Sequence, residues 1–488
     1  MGVKKILVVT ALAVLTAGTC WAEVPADHAD IEGPFNTPME VTATCLECHE
    51  DAATEVMATS HWTWNMEQEI AGKMVKRGKK NVLNNFCISV NSNWPRCTSC
   101  HVGYGWKDAS FDFSDPTRVD CLACHDTTGT YNKGKDAPSG AGMPAGYTGN
   151  PKFDKKPVDL IKIAQNAGAP NRTNCLNCHA VGGGGDNVKH GDIDQSLINP
   201  TSAIDVHMGV DGNDFTCNEC HAAEGHKIPG NSMIVSPAGK SDVNCTICHD
   251  EPHSSAKMGG VLNKHTKKVA CQTCHIPVFA KKHATKMTWD WSQAKNPKDL
   301  PEDKRVIKEH GHKVYIAKKG KFTYEDNVVP TYAWYNGTAG AYQLGQKIDP
   351  NNVTQLNYPL GDRNDANAKI HPFKIHKAVQ IYDNQNNYLI TPKVWGPKKD
   401  PDAFWVNFDW NKAAAAGMKT SGLEYSGSYD FTKTETYWPI NHMVSPADKA
   451  LQCIDCHGDS QRIDWKSLGY DMDPMAAKKA KIRKKLTH

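Results

Sequence analysis

Cys97-Thr98-Ser99-Cys100-His101 is a Cys-x-x-Cys-His motif, and Asn84-Asn85-Phe86-Cys87 sets one further cysteine shortly before it. Seven more copies of the motif begin at Cys45, Cys121, Cys175, Cys217, Cys245, Cys271 and Cys453. Two thiols three residues apart can anchor the vinyl groups of one porphyrin, and the adjacent imidazole then becomes an axial ligand of its iron. A disulfide framework or a zinc ribbon would not place a histidine directly after every second cysteine. Of 18 cysteines, the motifs use all but Cys20 and Cys87. Cys87 is thus the spare thiol of the chain after its leader, and it lies close to the second motif. Its plain alternative is a small buried hydrophobe.

The attachment cysteines are Cys45 and Cys48, Cys97 and Cys100, Cys121 and Cys124, Cys175 and Cys178, Cys217 and Cys220, Cys245 and Cys248, Cys271 and Cys274, Cys453 and Cys456. The proximal ligands are His49, His101, His125, His179, His221, His249, His275 and His457. The chain has 22 histidines, enough to give nearly every iron a second imidazole. The expected distal set is His61, His190, His207, His226, His253, His265, His376 and His442, with His28 set aside as terminal. An iron held by two imidazoles passes electrons but offers no open position, so a catalytic haem must differ from the rest.

Only 39% of the residues are hydrophobic and the mean hydropathy is −0.56, a lean supply for an ordinary core. Eight covalently attached haem c groups would provide the missing apolar volume. The expected fold is therefore mainly α with extensive irregular coil and a few short strands, a multihaem cytochrome c built around a covalent haem cluster. Residues 1–22 read as a signal peptide, with Lys4 and Lys5 ahead of an apolar run and cleavage after Ala22. The reading that makes Cys20 a lipid anchor is disfavoured by Thr19 before it. This points to an exported, periplasmic protein with no stable membrane insertion. Residues 23–275 carry seven motifs and the expected active site, and 276–488 form a Trp- and Tyr-rich segment that packs on the cluster and adds the eighth motif. Lys313 to Glu325 alternates around Lys319-Gly320 like a hairpin. A net charge of +3 gives no reason to expect nucleic-acid binding.

Lys73, Lys76, Arg77, Lys79 and Lys80 lead into Asn84 and Cys87, either as a solvated loop or as a funnel for a small anion. Asp159 and Lys162 stand one turn apart at a helix start, and the residues by themselves favour a surface pair. The tail from Lys478 to Lys485 is basic and helical in composition, a solvated tail or a docking site for an acidic redox partner.

Several stretches resemble the octahaem tetrathionate reductase family of periplasmic cytochromes: Asn84 to Cys87, Arg96 to Trp106, Pro157 to Lys162, Gly182 to Leu197, Ala270 to Pro277 and Asn441 to Val444. The resemblance spans nearly the whole chain after the leader. It implies that a lysine from outside the motifs, matched to Lys162, is the sixth ligand of the second haem. Asp159, Asn84 and Cys87 are then implied to line the same pocket. The implied activity is reduction of small sulfur or nitrogen oxyanions such as tetrathionate and nitrite, or of hydroxylamine, while the other haems relay electrons. The implied partners are the small anionic substrate and a redox-partner cytochrome or quinol-linked donor. Two alternatives stay open, a non-catalytic electron wire and a hydroxylamine-oxidising enzyme. Pentahaem nitrite reductases use Cys-x-x-Cys-Lys, and no motif here ends in lysine.

Overall fold

A computed structural model describes residues 28–70, 73–86, 88–133, 140–148, 154, 156–234, 242–460 and 462–486. The leader, Cys20 and Cys87 lie outside these residues.

The attachment motifs set the local structure of the N-terminal half. Cysteine and histidine four residues apart close one helical turn, with the His49, His125, His221, His249 and His457 amides donating to the carbonyls of Cys45, Cys121, Cys217, Cys245 and Cys453 at 2.9–3.0 Å. The helices Arg172–His179 and Cys271–His275 hold two more motifs. The second motif breaks this pattern, because the His101 amide donates instead to Thr98 O at 2.9 Å and the chain leaves in an extended conformation. Helices are correspondingly short, from single turns to Pro38–Leu46, with coil between them. The hairpin of β1 (Met66–Ile70) and β2 (Lys73–Arg77) carries the start of the basic run.

The C-terminal half corrects the mainly α expectation: the structure is 26% helix and 20% strand. A ten-stranded sheet contains β3 (Thr285–Asp290), β4 (Val306–Glu309), β5 (His312–Ile316), β6 (Gly320–Glu325), β7 (Thr331–Tyr335), β8 (Ala339–Ala341), β9 (Thr354–Pro359), β10 (Lys369–Asp383), β11 (Tyr388–Leu389) and β12 (Tyr429–Pro439). Its main path runs β4-β5-β6-β3-β10-β12-β9-β8. The hairpin around Lys319-Gly320 is β5 and β6, pairing Ile316 with Gly320. β10 is central, antiparallel to β12 from Phe373↔Pro439 to Asp383↔Tyr429 and parallel to β3. Both of its faces are covered, so its sequence lacks the alternation of a half-exposed strand. Pro372, which cannot donate to a ladder, further disguises it. Trp289, Trp291, Phe322, Phe404, Trp410 and Trp438 fill the main core against this sheet.

Candidate functional site

Each of seven motif histidines faces one other imidazole. The pairs are His49 with His28, His125 with His226, His179 with His61, His221 with His442, His249 with His207, His275 with His253, and His457 with His265, all at 6.0–6.3 Å between ring centres. Two metal–nitrogen bonds of ~2 Å, plus ~1.1 Å from each nitrogen to its ring centre, add to about 6.2 Å. The spacing therefore fits an iron between the rings.

The hydrogen bonds fix which nitrogen faces inward. His125 Nδ1 donates to Gly168 O, His221 Nδ1 to Pro229 O and His457 Nδ1 to Asp473, at 2.7–2.8 Å. On the opposite side, His28 donates to Ala167 O, His226 to Glu55, His253 to Asn263, His265 to Val261 O and His442 to Asp192, again through Nδ1. A proton held on Nδ1 by an oxygen leaves the Nε2 lone pair for a metal and sets the ring plane. The donor set fits haem c.

His28 was missed because the sequence gives no sign that a near-terminal residue is anchored. The anchor is tertiary: Gln165 Nε2 donates to Ala29 O and Ile31 O, tying the arm to the helix Leu160–Gln165. Two expected distal ligands face no motif histidine. His190 packs edge-on against Trp438 at 4.8 Å. His376 is fully buried on β10, stacked on Phe86 at 4.1 Å, with Nδ1 donating to Asn85 Oδ1 at 2.9 Å and Asn85 Nδ2 donating back to His376 O at 2.8 Å. That bidentate link fixes His376 to the loop before the second motif.

Among the described residues His101 has no partner imidazole. It is wholly buried among Trp62, Trp64, Trp106, Phe111 and Phe113, and its Nε2 donates to Trp62 O at 2.7 Å. To present Nε2 to an iron, the ring must leave that carbonyl. Burial first, and then the charges of Lys133 and Lys79, depress its pKa to about 3, while the bond to Trp62 O opposes them. The imidazole is therefore neutral.

The same environment collects lysines. The charges of Lys79, Lys189 and Lys133 all act on the Cys100 sulfur. Lys133 is committed to buried Asp120 at 2.6 Å, and the Lys79 ammonium sits over the Trp64 ring at 3.7 Å. Lys80 covers Phe113 at 3.7 Å, so the basic run ends inside this aromatic box rather than in a solvated loop. The Lys189 side chain has neither a carboxylate nor a ring partner among the described residues, and it lies over Gly182 and Gly183, where a Cβ at 182 would meet its Nζ at 2.8 Å.

Lys162 and Asp159 stand at a helix start. Both are exposed, and Asp159 caps the helix Leu160–Gln165 by accepting from the Lys162 amide at 3.0 Å. The surface pair suggested by the residues themselves is what the helix start requires. Asn84 is close to the motif: its amide donates to Ile88 O at 2.8 Å, its Oδ1 accepts from the Phe86 amide at 3.0 Å, and the following Ser89 O lies 3.8 Å from Cys97 Sγ. Cys87, between those residues in sequence, is outside the described set.

Thiols of different motifs also meet. Cys45 lies beside Cys121, Cys100 beside Cys178, Cys175 beside Cys217, and Cys245 beside Cys271, each thiol perturbing the other. Cys124 and Cys178, Cys220 and Cys248, and Cys274 and Cys456 are close enough to perturb one another electrostatically. The motifs thus form one contiguous series in space, first, third, fourth, fifth, sixth, seventh and eighth, with the second joined at the fourth.

The family described as Cytochrome c554 and c-prime matches residues 44–127, and the family described as Cytochrome c bacterial matches residues 286–460. The crystal structure of an octaheme cytochrome c from Shewanella oneidensis superposes with a TM-score of 0.82 at 53% identity, over 92% of this chain and 98% of that one. An uncharacterized protein of Archaeoglobus fulgidus is 29% identical over 252 residues, covering 42% of this chain and 82% of that protein.

Proposed function

Because the chain belongs to the octahaem cytochromes c, we propose that it is an exported reductase of tetrathionate, nitrite or hydroxylamine, acting at the second attachment site while the other seven sites relay electrons. The observation that carries this reading is the asymmetry among the motif histidines: among the described residues seven have an imidazole partner and His101 has none. Haem c supplies electron storage and, where its sixth ligand can leave, a coordination position. The distal ligands are His28, His61, His207, His226, His253, His265 and His442.

At the second site the lysine of the family pattern is Lys189 rather than Lys162. Lys133 is paired with Asp120 and Lys79 sits over the Trp64 ring, which leaves Lys189, with neither kind of partner among the described residues, as the amine for a metal. When Lys189 swings out, its regained charge and those of Lys79 and Lys80 favour an entering anion in a box walled by aromatic rings. Cys87 is the nucleophile for tetrathionate: its thiolate attacks a sulfur–sulfur bond and expels thiosulfate, and two electrons then cleave the cysteine–thiosulfate bond, releasing a second thiosulfate and restoring the thiolate. The contiguous series of motifs supports a relay, since each site neighbours the next. Among the described residues no helix is long and apolar enough to cross a membrane.

The test is steady-state turnover of tetrathionate, nitrite and hydroxylamine by the holoprotein with reduced methyl viologen as donor. Turnover of at least one substrate is expected, with Cys87→Ser losing tetrathionate activity. A holoprotein that turns over none of them is an electron wire, and the reductase reading falls.

A further inference from the structure

The reductase reading needs a source of electrons, and one surface of the chain is built beside a terminal member of the motif series. The last helix, Pro474–Leu486, contains six basic residues and no acidic one. It is joined directly to the eighth motif through Asp473. One Asp473 oxygen accepts from His457 Nδ1 at 2.7 Å and from the Met475 amide at 2.8 Å, while the other accepts from the Gly458 amide at 3.1 Å. A single carboxylate thus orients the motif histidine and starts the helix, so a molecule seated on the first turns lies beside the eighth attachment site.

The face of this helix combines charge with a small apolar strip. Met475 and Ile482, two turns apart, are 41% and 49% exposed, and Lys478, Lys479 and Lys481 are exposed around them. Residues seven apart share one helix face. Two apolar side chains are too few to seat a helix in a bilayer interface, which needs a long apolar face. A small apolar centre with a cationic rim instead suits a short-lived contact with a protein of opposite charge, where steering sets the encounter rate and the apolar centre sets the seat. The spatial order of the motifs agrees, because the eighth motif adjoins the seventh, where Cys456 and Cys453 act on Cys274.

We propose that the helix Pro474–Leu486 is the docking surface for an acidic electron-carrier protein, which is oxidised by one electron as the eighth site is reduced by one. This rests on the reductase reading only for the direction of electron flow.

The experiment measures binding of an acidic plant-type [2Fe–2S] ferredoxin to the holoprotein by calorimetry at low and high salt. The variants are K478E/K479E/K481E and, with the same charge change on another exposed surface, K398E/K399E/K412E. The helix variant should weaken binding at least ~10-fold at low salt and the control less than ~2-fold. Equal losses in both would make the effect one of net charge and overturn the proposal. So would unchanged binding, absence of binding by the wild type, or binding by the helix to vesicles containing a quarter phosphatidylglycerol in place of the ferredoxin. Turnover driven by reduced methyl viologen should be the same in wild type and helix variant. If the wild type shows no such turnover, the reductase reading fails while the binding comparison still decides the docking surface.

Discussion

Lys374→Met tests how the Lys189 segment is held. Lys374 is fully buried on β10, and its Nζ donates to Val188 O at 2.9 Å, Lys189 O at 2.8 Å and Thr285 Oγ1 at 2.6 Å. The Thr285 hydroxyl donates its own proton to Asn187 O, so it can only accept from Lys374. Three acceptors require three N–H donors, the full capacity of an ammonium. Burial, and then the charge of Lys286, push the Lys374 pKa well down, while Asp192 opposes them. The bond pattern nevertheless selects the charged form. Methionine keeps the stem and removes every donor, leaving the two carbonyls unpaired at ~1–3 kcal/mol each while the Thr285 hydroxyl keeps its bond to Asn187 O, and relief of the ammonium's desolvation, several kcal/mol, returns part of this. A net loss of about 3 kcal/mol is expected, concentrated at residues 187–189. The assay is the urea midpoint of the holoprotein together with its low-temperature electron paramagnetic resonance spectrum. The account expects a lower midpoint and a broadened signal from the haem that Lys189 serves. An unchanged midpoint with unchanged spectra would refute the argument that this cation positions Lys189.

Two further outcomes follow from single side chains. His28→Ala removes the imidazole facing His49 and should convert one haem from low-spin to high-spin while leaving the others unaltered, as read by magnetic circular dichroism. Asp383 accepts from the Gln385, Asn386 and Ser426 amides and the Ser426 hydroxyl; burial pushes its pKa up, but these donors outweigh burial and hold it below the usual carboxylate range. Its stabilisation is complete above the unfolded-state pKa and is lost as pH falls through the lower folded value, so Asp383→Asn should flatten the drop in unfolding midpoint on acidification below pH ~4.

The attachment sites were readable because the chemistry is local: two thiols and an imidazole within one helical turn need no knowledge of the fold. Six of the expected distal histidines do face motif histidines: five were imidazoles left over in the haem-rich half, and His442 reaches back from the C-terminal segment. His190, His376 and His28 depended on long-range placement. His376 is locked to Asn85 across 291 residues of sequence, and His28 is held by Gly168's neighbour Ala167. The sheet was hidden by burial of both faces of β10, which removes the period of two that marks a strand. The residues alone do not separate two candidate lysines, because Asp159-x-x-Lys162 and Asp186-x-x-Lys189 share one spacing. Only packing separates them: the first caps an exposed helix, and the second reaches the field of Cys100.

The account turns on one haem that differs from seven others, and the spin states of the holoprotein with Lys189→Met and Lys162→Met test it most directly. With Lys189→Met, magnetic circular dichroism should show a single haem losing its amine ligand, and Lys162→Met should match the wild type. A Lys189→Met spectrum identical to wild type, or the loss appearing with Lys162→Met instead, would contradict the assignment of the second site.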